Sequence, residues 1–188
     1  MAEAGASSPA ERLLRHPLPQ PDARSCGAAS MRVAELLRAA AAPPVLTGFH
    51  AEVLALHRRL TSGRDGRGRL QLPWPQALGT PPWAVARHLA GLTGQAYRSR
   101  WIRTGDPVPD VAGATSHAPV GLYVGNAWLP RHVVLVVGGT DEVLAVYEPT
   151  SGRLVTVGHE ALRSRRLRLA GWDVPWFSVR PAARRTPA

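Results

Sequence analysis

The apolar residues of this chain change their spacing once, near residue 95, and that change limits the folds open to it. Ahead of it Ala29, Val33, Leu36, Leu37 and Ala40 recur at intervals of three and four, one face of a helix that starts at Cys26 and is stopped by Pro43 and Pro44. Val53, Leu56 and Leu60 predict a second helix over 49–60, followed by a Gly- and Arg-rich loop. Thr80 and Pro81 predict the capped start of a third, ending at Gly91 or Gly94. Behind the change, the runs 96–102, 120–124, 132–137, 143–148, 154–157 and 176–179 read as strands, separated by clusters of Gly, Pro, Asn and Asp. Helices first and strands afterwards predict an α+β fold, with N-terminal helices packed against an antiparallel β-sheet.

A chain of 188 residues with 45% hydrophobic content has room for one well-filled core. A single domain is expected over 20–181, behind a disordered or loosely attached lead-in at 1–19 and ahead of a basic tail at 182–188. Apolar runs such as Val133 to Val137 are too short to cross a membrane, and the N-terminus lacks the basic start and apolar core of a secretory signal. A lone cysteine forms no intramolecular disulfide, so the expected location is cytoplasmic. The net charge of +10 comes from 23 basic residues that are all arginine. With abundant Ala, Gly and Pro, this reads as the bias of a GC-rich genome. No stacking aromatics interleave with the arginines of 163–168, so neither a specific nucleic acid nor a membrane is expected as partner.

Cys26 admits two readings. A free cysteine is among the residues most often buried as a small hydrophobe. At a helix start, however, it meets unpaired N–H groups and the positive end of the helix dipole, an environment suited to a nucleophile. Gly27 leaves the approach to its sulfur clear. Gln20, on the loop leading in, can bring an amide N–H to the same helix end, beside the backbone N–H of Cys26, as an oxyanion hole. Far along the chain, His132 heads a Val-rich strand and Glu148 ends the next. If the intervening turn centres on Thr140, Val136 faces Leu144, Val134 faces Val146 and His132 faces Glu148, on one side of the sheet with Cβ atoms ~5 Å apart. A slip of one residue would part the pair. Taken singly, the two residues read as a satisfied strand-end histidine and a solvated carboxylate. Arg131, beside His132, is expected to disfavour an imidazolium there.

The elements Gln20-x5-Cys26-Gly27, His132 at the head of its strand, and Glu148-Pro149-x-x-Gly152 resemble the papain-like cysteine peptidase superfamily. The closer similarity is to its compact bacterial branch, the C39-like or bacteriocin-processing peptidases, with their pattern Q-x5-[DS]-C-G-x-A, H-[FY]-V-V-[LV] and D-P-x-x-G. The matched positions lie at the two ends of the span from Gln20 to Gly152. The resemblance implies a papain-like fold, a peptide or protein substrate, and no metal or organic cofactor. It also implies Cys26 as nucleophile, His132 as general base and then acid, Gln20 as oxyanion donor, and Glu148 as the residue orienting the imidazole, where the family carries Asp or Asn. Gly27 and Trp128 are expected beside the substrate. The function so implied is that of a stand-alone cysteine peptidase or amidase-type thiol hydrolase. The competing class is a non-catalytic papain-like module that binds peptide in the same cleft. His50 and His57, seven apart on one helix, lack a third ligand and make a poor zinc site.

Overall fold

The computed structural model describes residues 7–103, 114–115, 117–140 and 142–182. Helix α1 (Pro9–Leu13) precedes α2 (Cys26–Arg38), α3 (Leu46–Thr61), a 3-10 turn at Gln76–Leu78 and α4 (Pro82–Thr93). Strands β1 (Tyr97–Trp101), β2 (Val120–Gly125), β3 (Pro130–Gly139), β4 (Val143–Glu148) and β5 (Arg153–Gly158) follow, then the short helix α5 (His159–Arg163) and β6 (Val174–Pro181). The fold is α+β, with the N-terminal helices on one face of an antiparallel sheet ordered β1-β6-β2-β3-β4-β5.

Helix α2 is the centre of the packing. Its run from Cys26 to Met31 is buried without a break, and its small residues let it lie against β3 on one side and α3 and α4 on the others. The Ser30 hydroxyl donates to the Val133 carbonyl at 3.2 Å, fixing helix to strand. Val133, Leu135, Val137, Tyr123, Tyr147 and Val179 face the helices. The alternate residues Val134, Val136, Leu122, Leu144 and Val146 meet Leu162, Leu167 and Leu169 on the other face. Both faces of the central strands are therefore covered, which is why they read as continuous apolar runs. Helix α4 ends at Gly94, whose φ of 73° is the left-handed cap that glycine adopts without strain. Its start departs from expectation: Pro81 holds the cap position, and Thr80 is buried with its hydroxyl on no partner.

Two expectations need correction. Within the lead-in, residues 7–19 are not loose. Ser8 caps α1 reciprocally with Glu11, and Ala10, Leu13, Leu14 and Leu18 enter the helical core. Residues 1–6, and 183–188 of the tail, lie outside the described residues. The β3–β4 register also differs. Leu135 pairs with Tyr147 and Val136 with Val146, after which a bulge at Val137 brings Gly138 opposite Ala145. Extended to the strand ends, that register puts Glu148 diagonally across from His132 and not directly opposite. The displacement is two residues, so the pair keeps its common face.

Candidate active site

The loop ahead of α2 is built to hold Cys26 in place. Asp22 Oδ1 accepts the backbone N–H groups of Arg24 and Ser25, each at 2.9 Å, and so organises the turn into the helix. Partial burial opposes the charge on Asp22, but these hydrogen bonds outweigh it and hold the carboxyl below its ordinary range. Cys26 itself is 4% exposed. A side chain at position 27 would place its Cβ 2.6 Å from the Thr80 Cβ, so Gly27 has a packing reason of its own. It lets Thr80 close over the helix start while the Thr80 carbonyl accepts the Tyr123 hydroxyl at 2.9 Å.

His132 lies near the start of β3, and its Nε2 stands 2.9 Å from Glu148 Oε1. Each of these side chains is 6% exposed. The turn after β4 supplies two more donors, the N–H of Thr150 to Oε1 and of Ser151 to Oε2, both at 2.7 Å. Burial pushes Glu148 up, but the bonds from His132, Thr150 and Ser151 prevail and hold its carboxyl down at about 2. Burial likewise pulls the imidazole down, against hydrogen bonds to Cys26 and Glu148 and the attraction of their negative charge. The attraction wins, and His132 is pushed up to about 9. Arg131, exposed beside it, does not reverse this outcome. With Nε2 engaged by Glu148, Nδ1 is the nitrogen left for Cys26. Burial first, and negative charge at Cys26 second, raise the Tyr123 hydroxyl well above its usual value. Tyr147 is raised by burial, Glu148 and Cys26, so both phenols stay neutral donors around the site.

Gln20 belongs to the same unit through its backbone. Its N–H donates to the Pro149 carbonyl at 2.7 Å, and the Leu18 N–H to the Gly152 carbonyl at 3.0 Å. The Tyr147 hydroxyl donates to the Leu18 carbonyl at 2.7 Å, and His50 Nε2 lies 3.0 Å from the Pro19 carbonyl. The loop carrying Gln20 and the turn carrying Glu148 are thus stitched together. Gln20 Nε2 donates to the Asp22 carbonyl at 2.5 Å, leaving one amide N–H, while Oε1 is buried without a partner. Trp128 sits in the β2–β3 connection, 83% exposed, with its backbone N–H on Asn126 Oδ1.

Sequence reasoning missed Thr150, Ser151, Tyr147 and the Asp22 turn. The first two stood in plain sight within Pro149-Thr150-Ser151-Gly152, where main-chain N–H groups of a tight turn follow a carboxylate directly. His57 is buried with Nε2 unpartnered, and burial lowers its pKa. His50 is spent on Pro19, so the two do not converge, and no cluster of metal-ligating residues occurs among the described residues.

Comparison with solved structures returns peptidase domains. The peptidase domain of Streptococcus mutans ComA is 17% identical at a TM-score of 0.43, over 88% of this chain and 98% of that one. That of a Streptococcus ComA described as a bi-functional ABC transporter of a quorum-sensing pathway is 18% identical, at a TM-score of 0.45 and with 88% and 98% covered. A double glycine motif protease from an AMS/PCAT transporter, solved with the leader peptide, is 10% identical at 0.47, covering 89% of this chain and 91% of that one. All three TM-scores lie below 0.5, and the identities run from 10% to 18%. No protein-family model matches it, and no curated protein matches it in sequence. The chemistry of the site rests on the site's own geometry. Among the described residues no helix is long and apolar enough to cross a membrane.

Proposed function

We propose that the chain is a cysteine peptidase or amidase-type thiol hydrolase acting on a peptide or amide bond, with Cys26, His132, Glu148 and Gln20 as its working residues. The observation that carries this reading is the buried 2.9 Å contact between His132 Nε2 and Glu148 Oε1, in a histidine whose other nitrogen is left for Cys26. A satisfied structural histidine needs no carboxylate held by two further backbone donors.

In the reaction, Cys26 Sγ, its proton already held by the His132 imidazolium, attacks the substrate carbonyl carbon, while Glu148 holds that imidazolium in place. The carbonyl oxygen becomes an oxyanion, met by the Cys26 backbone N–H and the second N–H of the Gln20 amide. Collapse of the tetrahedral species breaks the C–N bond, and His132 returns its proton to the leaving amine. A water, deprotonated by His132, then attacks the thioester and releases the acid and free Cys26. The substrate is a peptide or protein.

The deciding experiment is peptide cleavage followed by mass spectrometry, together with alkylation of native Cys26 by iodoacetamide at pH 6. Wild type is expected to cleave and to alkylate faster than a free thiol. Cys26→Ala and His132→Ala are each expected to lose on the order of 10³-fold or more in turnover. No turnover, with Cys26 no faster than a free thiol, would replace this reading with that of a non-catalytic peptide-binding module.

A further inference from the structure

A second site lies away from Cys26, between the C-terminal half of α3, the loop at 62–71 and α4. It is a cavity of about 270 Å³ lined by Arg59, Arg67, Arg69 and Arg87, with Glu35 and Asp65 as the carboxylates among its described lining residues. Four guanidinium groups against two carboxylates leave the lining net positive. Glu35 is already held by Arg32 at 2.8 Å, an arginine outside the lining.

The guanidinium groups are placed by backbone and by one carboxylate. Asp65 Oδ1 accepts the N–H groups of Arg67 and Arg69 at 3.0 and 2.9 Å, which shapes the loop, and Oδ2 accepts Arg69 Nε at 2.8 Å. Arg67 reaches the Gly91 carbonyl at 3.1 Å and Arg87 the Leu70 carbonyl at 2.6 Å, so each spans from loop to helix with one arm. A guanidinium has five N–H donors, and these bonds use only one or two of each set. Arg59 makes no side-chain ion pair among the described residues. Gln71, 8% exposed and also lining the cavity, spends its Nε2 on α3 carbonyls and keeps Oε1 buried without a partner. Spare fixed N–H donors call for an oxyanion, and an orphaned buried acceptor calls for an O–H on the same ligand.

We propose that this cavity binds a hydrogen-phosphate group, as the free ion or as a phosphate ester. Below its second pKa, about 6 for a monoester and about 7 for the free ion, a phosphate group carries both features, the charged oxygen for the arginines and the O–H for Gln71, whereas sulfate and chloride lack the O–H.

Calorimetric titration of the full chain with inorganic phosphate, methyl phosphate, sulfate and chloride, at about pH 5, where both phosphates keep an O–H, and at one ionic strength, tests it. Phosphate or methyl phosphate is expected to bind at least about fivefold more tightly than sulfate, and chloride not to bind. The ratio of the two phosphates names the source. Arg59→Gln and Arg87→Gln are each expected to weaken phosphate by about tenfold, while Arg58→Gln, outside the lining, leaves it unchanged. Should Arg87→Gln unfold for want of its bond to Leu70, the exposed Arg59→Gln decides. Phosphate binding no tighter than sulfate, or undiminished in Arg59→Gln, would overturn the proposal.

Discussion

Glu148 carries one methylene more than the Asp or Asn of the peptidases this sequence resembles, and its surroundings absorb the difference. The turn that follows bends back so that Thr150 and Ser151 each donate a backbone N–H to one carboxylate oxygen, which steadies a longer side chain as well as a shorter one. The pair with His132 then has a definite pH signature. The His132 pKa is raised from 6.5 to about 9, so its stabilisation is full below 6.5 and is lost as pH rises through about 9. That of Glu148 is depressed from 4.5 to about 2, so its stabilisation is present above 4.5 and is lost as pH falls through about 2. Thermal unfolding is therefore expected to show a plateau between about 4.5 and 6.5 and to fall on both sides, the carboxylate's share being on the order of 3 kcal/mol. In Glu148→Gln the plateau loses this share, and the His132 ring, followed by NMR, titrates nearer its ordinary value. An unmoved His132 midpoint in that variant would mean that no ion pair operates at the site.

Between elements, the decisive contact is the crossing of the β4–β5 turn over the segment that carries Gln20. Gly152 has φ +69°, and a Cβ there would collide with the Leu18–Pro19 backbone, so only glycine lets the two chains meet. Gly152→Ala combines a left-handed alanine with that collision and is expected to cost at least ~2 kcal/mol in urea unfolding. It is also expected to lower turnover more than Tyr147→Phe, which removes a single bond to the Leu18 carbonyl. A Gly152→Ala protein of unchanged stability and turnover would show that Gln20 and Glu148 are placed independently. The strands were legible because each apolar run is bounded by turn residues, and six were found close to their expected limits. Helix α5, five residues long, is too short to show a period. The β3–β4 register was misread because the bulge at Val137 has no local mark in a run of valines, yet a displacement of two residues left His132 and Glu148 on one face. Cys26, His132 and Glu148 could be picked out by type and order. The donors of Thr150 and Ser151 are marked only by the turn that follows the carboxylate, because any residue would bring the same N–H groups, and Asp22 is hidden because its Oδ1 takes two backbone N–H groups that no sequence pattern pairs with it.

Across the whole molecule, the segment from Ser8 to Gln20 is part of the core and of the site at once. Leu13, Leu14 and Leu18 are buried beneath α2 and the sheet, while the backbone of Leu18 accepts from Tyr147 and donates to Gly152. A sequence rich in Ala, Ser and Pro hides this. Its helix spans only five residues, and the one local sign of order is the pairing of Ser8 with Glu11 around Pro9. The consequence separates the two pictures. Leu18 is 2% exposed, and Leu18→Ala in a packed core is expected to cost ~2–4 kcal/mol, measured by urea unfolding, against less than ~0.5 kcal/mol for a loosely attached lead-in. Because the same residue anchors the Gln20 loop, the variant is expected to lose turnover at temperatures where it is still folded. Leu13→Ala, equally buried but five residues further from the loop, should lose stability alone. Equal turnover losses in the two variants would mean that the segment serves the site only through overall stability, and that Gln20 is positioned by other contacts.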